Sequence, residues 1–229
     1  IDYVSQDRSA QGYAAQGCSD IQRSEKLILL AAAAYRAYLQ LIVEKAAPTA
    51  VIQEFNRFRV LCAARQGKSG VSEINNRIEQ QLILDGFVDI SPDDHWYIGR
   101  PVMLSRNNYE LELYNGDIGI TMSDTAGRLK VYFDMPDNSI KAISPGRLNE
   151  CETVYAMTVH KSQGSEFNHV ALLFPEKDSP LLTRELLYTG ITRARKKLSV
   201  FSPPALLSQA AQRKTIRISG LQAALRSPG

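Results

Sequence analysis

Two short stretches gather most of the side chains able to do chemistry in this 229-residue sequence: residues 158–167, TVHKSQGSEF, and residues 188–195, YTGITRAR. The first crowds hydroxyl, imidazole, ammonium, amide and carboxylate groups around Gly164. Such a loop can offer donors to phosphates on one side and, through Glu166, an acceptor to a sugar hydroxyl on the other. The plainer alternative is a polar connection in which His160 and Glu166 are merely solvated. The second stretch ends in two arginines. A guanidinium delivered across a cleft to a γ-phosphate offsets the charge that develops in phosphoryl transfer, and its planar fork suits that task better than a lysine head. Arg193 and Arg195 stand two apart, so on a helix they point in different directions and cannot serve one site equally. Taken alone, that segment is also compatible with a solvated basic helix end.

Other candidates are weaker. Gly67, Lys68 and Ser69 imitate the end of a phosphate-binding loop between a strand and a helix, but the position that needs the first glycine holds Cys62, so a plain turn is expected. No other stretch reads GxxxxGK, and no acidic pair ends an apolar strand. If the protein handles a nucleotide, it brings only part of the site. Arg65 reads as a surface arginine before a glycine turn. The three cysteines, Cys18, Cys62 and Cys151, have neither pairing nor zinc spacing, which fits a reducing, cytoplasmic compartment and no metal site. The sequence shows no cluster of carboxylates of the kind a nuclease uses.

These residues need a scaffold, and the chain has the means to build one. Hydrophobic residues make up 44%, enough for a sizeable core, while a net charge of +3 announces no strong nucleic-acid footprint. Residues 1–20 read as a flexible lead-in and 21–57 as helical, with a helix from Asp20 to about Ala46, stopped by Pro48, and a second capped by Thr49. The longest apolar run, 27–34, is too short for a membrane span. Residues 58–95 open as buried strand, glycine turn and helix, half of a βαβ unit. From 96 to 148 the period changes to short strands separated by Asn, Gly and Pro turns, as in a small barrel of SH3 type. Asn115 and Gly116 fit a type I′ turn as readily as a ligand contact. From 149 to 229 α/β character returns, with a strand at 169–175, a helix through TRELLYTGITRAR and a last strand, KLSVFS. The pattern predicts an α/β domain with a β module inserted into it.

Together TVHKSQGSEF and YTGITRAR resemble motifs V and VI of superfamily 1 DNA helicases. With GRPVMLSRN, LYNGDIGI and ELLYTGITRARKKLSVF, the wording of residues 50–225 is similar to the RecD family, the alpha subunits of exonuclease V. The resemblance implies a RecA-like second motor domain, 2A, carrying an SH3-like insertion, 2B. It implies that ATP is sandwiched between two such domains, the first of which bears the Walker motifs absent here, so this chain would be a fragment inactive alone.

By motif position, Arg193 becomes the arginine finger, and Gly164 and Glu166 face the nucleotide. Thr158 and His160 face single-stranded DNA, with Lys161, Ser162 and Gln163 as second choices; Asn115 lies near the DNA path. Mg²⁺ would be held mainly by residues elsewhere. The family further implies 5′-to-3′ translocation, the partners RecB and RecC, a role in repair of double-strand breaks and recombination, and no membrane. Two rival readings remain: a DNA-binding or subunit-docking module with a degenerate nucleotide site, and a stand-alone helicase of the same superfamily.

Overall fold

A computed structural model describes residues 9–12, 20–90 and 95–214. Most of the lead-in, Cys18 and residues 215–225 of the family resemblance lie outside the described residues. The elements run β1 (Ser9–Gly12), α1 (Asp20–Val43), α2 (Pro48–Phe55), β2 (Phe58–Cys62), α3 (Val71–Leu84), β3 (Pro101–Leu104), β4 (Ile118–Ser123), β5 (Leu129–Asp134), β6 (Ile140–Ile143), β7 (Cys151–Thr153), β8 (Ala156–Thr158), β9 (Phe167–Leu173), α4 (Arg184–Ile191), β10 (Ala194–Phe201) and α5 (Pro204–Gln212).

Five strands form one parallel sheet in the order β1-β10-β9-β2-β8. Parallel strands need crossovers, and the crossovers cover both faces. Side chains alternate along each strand, so Val60, Cys62, Ala171 and Leu173 pack with α1, α2 and α3, whereas Leu61, Val170 and Leu172 pack with α4 and α5. Helix α1 is long and apolar enough to cross a membrane, yet its stripe of Leu27, Ala31, Tyr35, Tyr38 and Leu39 is buried in this core. Each such large apolar side chain contributes roughly 1.5–3 kcal/mol by leaving water.

The edge strand β8 is closed by a side chain. Asn75 of α3 donates from Nδ2 to the Ala156 carbonyl at 3.1 Å and accepts from the Ala156 N–H at 2.8 Å, doing for the open edge what a neighbouring strand would do.

Between α3 and β8 the chain builds a second sheet, antiparallel, in the order β6-β5-β4-β3-β7. Val102, Leu104, Leu111, Leu113, Val131, Phe133, Ile143 and Leu148 fill its own core, while Ile120 and Met122 join the core beneath α1. Gly99, at φ +89°, seats this sheet on α1, because a Cβ there would stand 2.5 Å from Leu39 Cδ2. Tyr38 of α1 donates to the Gly99 carbonyl at 2.8 Å.

Four local readings of the sequence need correction. Pro48 does not end α1; it opens α2 at the first helical position, where its missing N–H costs nothing, and α1 closes earlier, just before Lys45 in the left-handed region. Residues 9–12, read within a flexible lead-in, pair with β10 as a parallel edge strand. The Asn115–Gly116 turn is not type I′, which requires positive φ at both residues. Only Gly116 has it, at +99°, and Asp117 N–H closes the turn on the Tyr114 carbonyl at 3.0 Å, the pattern of a type II turn. Finally, α4 ends at Ile191 and Ala194 begins β10, so Arg193 lies in a turn and Arg195 on a strand rather than both on a helix.

Candidate functional site

Because β8 and β9 are parallel, the loop between them leaves one edge of the sheet after Thr158 and re-enters at the opposite edge at Phe167. Its two ends are therefore about 20 Å apart along the strands, because Thr158 is level with Cys62 and so with Leu173, six residues beyond Phe167 on β9. The first part winds into a turn. Thr158 Oγ1 accepts from Lys161 N–H at 3.2 Å, and Ser162 N–H reaches the Thr158 and Val159 carbonyls at 3.3 Å each. His160, Lys161 and Gln163 point outward. Ser162 does not: it is fully buried and donates from Oγ to the Val159 carbonyl at 2.7 Å. Its hydroxyl holds the turn together and is withdrawn from any strand, contrary to its place among the DNA-facing candidates.

Gly164, at φ +89°, turns the chain back toward the sheet, in a conformation other residues adopt only with strain. Beyond it the loop meets the second motif. Thr183 caps α4 by accepting from Leu186 N–H at 3.3 Å. Gly190 lets α4 approach β9 closely, since a Cβ there would come within 3.0 Å of Leu172 Cδ1.

The chain then turns at Thr192 and Arg193. Arg193 carries a hydrogen bond on each guanidinium nitrogen: Nε to the Thr189 carbonyl at 3.2 Å, Nη1 to the Ser165 carbonyl at 3.0 Å and Nη2 to Thr192 Oγ1 at 3.1 Å. A guanidinium has five N–H groups, so donors remain on its outer side. Phe167 N–H donates to the Arg193 carbonyl at 2.8 Å, and Arg195 Nε donates to Glu166 Oε2 at 2.8 Å. Ser165, Glu166, Arg193 and Arg195 thus form one clasp at one edge of the sheet. The turn bearing His160 and Lys161 begins from the other.

Three further residues were not singled out from the sequence. Asn75 braces β8, directly ahead of the turn. Arg59 of β2 is fully buried; Nη1 donates to the Val154 carbonyl at 2.9 Å, Nη2 to Asn56 Oδ1 at 3.0 Å, and the group lies against the Phe55 and Phe167 rings at 4.2 and 5.1 Å. Burial lowers its basicity, because the charged form is desolvated. Glu152 of β7 pairs with Lys161. A polar residue inside an apolar run is the signal that could have marked Arg59; nothing local marks Asn75 or Glu152.

Elsewhere, Gly67 and Gly70 make the expected plain turn, with Gly70 N–H on the Gly67 carbonyl at 2.9 Å. Arg65 is exposed. Asn115 is exposed too, and its N–H is held by Asn107 Oδ1 at 2.9 Å. Cys62 lies buried in β2, and burial pushes its thiol up to about 12, which keeps it protonated and unreactive. Among the described residues no three His, Cys, Asp or Glu side chains gather where they could hold a metal ion.

The UvrD-like helicase C-terminal domain family matches residues 153–201, which contain both halves of the clasp. The RecBCD enzyme subunit RecD of Mycobacterium tuberculosis is 41% identical over 171 residues, covering 75% of this chain and 29% of that protein. The ATP-dependent RecD2 DNA helicase of Deinococcus radiodurans is 30% identical over 171 residues, covering 74% of this chain and 23% of that protein. The chain therefore spans less than a third of the length of these relatives. A Pif1 helicase from Bacteroides, solved with ADP-AlF3 and single-stranded DNA, aligns at a TM-score of 0.44 and 16% identity over 83% of this chain and 52% of that one. Residues 153–201, which match the UvrD-like helicase C-terminal domain, run through β8, β9, α4 and β10 of the parallel sheet, and in sequence the chain resembles the C-terminal portion of the RecD helicase subunits.

Proposed function

We propose that this chain is the second motor domain, 2A, of a RecD-type ATP-dependent DNA helicase acting in double-strand-break repair and recombination, and that its antiparallel sheet is the SH3-like 2B insertion. The observation that carries the reading is the clasp: Arg193 and Arg195 on one side, Ser165 and Glu166 on the other, joined by side-chain and main-chain hydrogen bonds. Arg193 presents its unspent donors outward as the finger toward a γ-phosphate. Gly164 and Glu166 stand on the same nucleotide side.

The residues present fit part of an ATP site, namely the cation and the loop opposite it, and the phosphate-wrapping loop must come from another domain. When bound, ATP with Mg²⁺ supplies the phosphoryl group whose transfer drives movement, and this chain's part is to hold Arg193 where charge develops. Thr158, His160, Lys161 and Gln163 face single-stranded DNA on the other side of the loop, with Asn115 of the small sheet near the same path. Ser162 holds that surface in shape. The partners of this reading are single-stranded DNA, RecB and RecC, in the cytoplasm, with 5′-to-3′ translocation.

The test is DNA-dependent ATP hydrolysis by the complete helicase subunit with Arg193→Ala. Loss of turnover with DNA binding retained supports the motor reading; unchanged turnover overturns it in favour of a docking module with a degenerate site.

A further inference from the structure

Two charged side chains bracket β8. Glu152 lies on β7, just ahead of it, and Lys161 lies in the turn that follows. Lys161 Nζ donates to Glu152 Oε1, and the two side chains keep 34% and 42% of their surface open to solvent. The backbones behind both are fixed. Residues 151–153 are paired with 102–104 in the small sheet, Thr153 Oγ1 accepts from Arg100 Nε at 3.0 Å, and the next carbonyl, that of Val154, is held by Arg59. On the other side, Lys161 N–H is tied to Thr158 Oγ1. The movable part is the four-carbon lysine stem with its ammonium, a compact point charge able to change partners.

We propose that Glu152 is a positioning residue for the strand site: it holds the Lys161 ammonium while no DNA is bound and gives it up to a phosphate of single-stranded DNA. The proposal rests on the reading of 158–163 as strand-facing. An ammonium offers three donors and no acceptor, and an ion pair this open to solvent is worth little, so a phosphodiester can take the ammonium from the carboxylate. A buried pair could not be opened so easily.

The exchange has two effects. It weakens the grip on the strand, because Glu152 must be abandoned each time, and it frees the turn from β7 whenever a phosphate is engaged. The occupied and empty states of the strand site therefore differ in how the turn is joined to the small sheet.

The experiment measures binding of a fluorescein-labelled oligothymidylate to the complete helicase subunit, without nucleotide, across a salt series. Glu152→Gln is expected to bind about three- to fivefold more tightly at low salt, the scale of an exposed ion pair. Lys161→Ala is expected to bind more weakly, with a salt slope shallower by about 0.7, one phosphate contact fewer. In the Lys161→Ala background the gain from Glu152→Gln disappears, and Glu152→Asp, which keeps the charge, returns affinity toward that of the unaltered chain.

Equal affinity in Glu152→Gln, or a gain that survives Lys161→Ala, overturns the proposal. The second result would mean general repulsion rather than a held ammonium. Binding that ignores Lys161→Ala sinks the role of Glu152 and leaves the strand reading standing. No binding at any salt removes the strand reading and this proposal together.

Discussion

Arg193 is held by Ser165: the guanidinium that follows α4 donates from Nη1 to the Ser165 carbonyl at 3.0 Å, 28 residues away in the chain. The arginine is therefore aimed by the loop that leads into β9 as well as by its own helix end, where the Thr189 carbonyl takes Nε.

Arg193→Ala in the complete helicase subunit should lower DNA-dependent ATP turnover by about a thousandfold or more, the scale of a lost arginine finger. Because Arg193 is only partly buried, the melting temperature should stay close to that of the unaltered protein. Arg193→Lys should not restore turnover, since one ammonium cannot meet three separate acceptors and still reach outward. Steady-state turnover alongside a circular-dichroism melt separates loss of chemistry from loss of fold.

Asn75→Ala should destabilise the chain by about 2–4 kcal/mol, because the buried N–H and C=O of Ala156 both lose their partner. Asn75→Asp should give little rescue, as a carboxylate cannot donate to the carbonyl. Urea unfolding reads both; a loss below about 1 kcal/mol would mean that the β8 edge finds another partner.

For Arg59 the expected order is Arg59→Ala worse than Arg59→Met. The alanine variant leaves a cavity between Phe55 and Phe167 and strips the Val154 carbonyl and Asn56 of their donor, together about 3–5 kcal/mol. Methionine refills the volume without a buried charge. Equal losses in equilibrium unfolding would contradict the packing account.

Stability should fall as pH drops from about 6.5 to about 4. His169 is pulled down to about 4, first by burial and then by Lys197, from an ordinary value of 6.5. Between those values the unfolded chain binds a proton that the folded chain refuses, so acid favours unfolding across that window. Its Nε2 lies 2.9 Å from Ser199 Oγ. Melting curves across the window should lose part of their slope in His169→Gln, and an unchanged slope would assign the effect elsewhere.

Period and punctuation made most elements legible in the sequence: the buried strand at β2, the Ile74–Ile78–Leu82 stripe of α3, the short alternating strands after Trp96 and the apolar β9. Elements decided by distant partners were not. No glycine or proline stops α4 after Ile191; what ends it is Ala194 entering the ladder beside Phe167, a contact invisible to a local window. The polar strand Ser9–Gly12 has no alternation and exists as a strand because β10 lies alongside. At the site, residue types marked the loop and the arginines, but separating the two ends of the loop required knowing that β8 and β9 run parallel. Glu152 carries no local mark at all, since its meaning comes from a lysine on the far side of a strand.

The return from the small sheet to the parallel one takes two residues, Val154 and Tyr155, between β7 and β8. Both residues are wholly buried; Arg59 grips the first carbonyl and Tyr35 the second, at 2.9 and 2.5 Å. A joint stitched in this way is a weld rather than a hinge. On the motor reading proposed above, a stroke that displaces the parallel sheet would carry the small sheet with it as one lever arm.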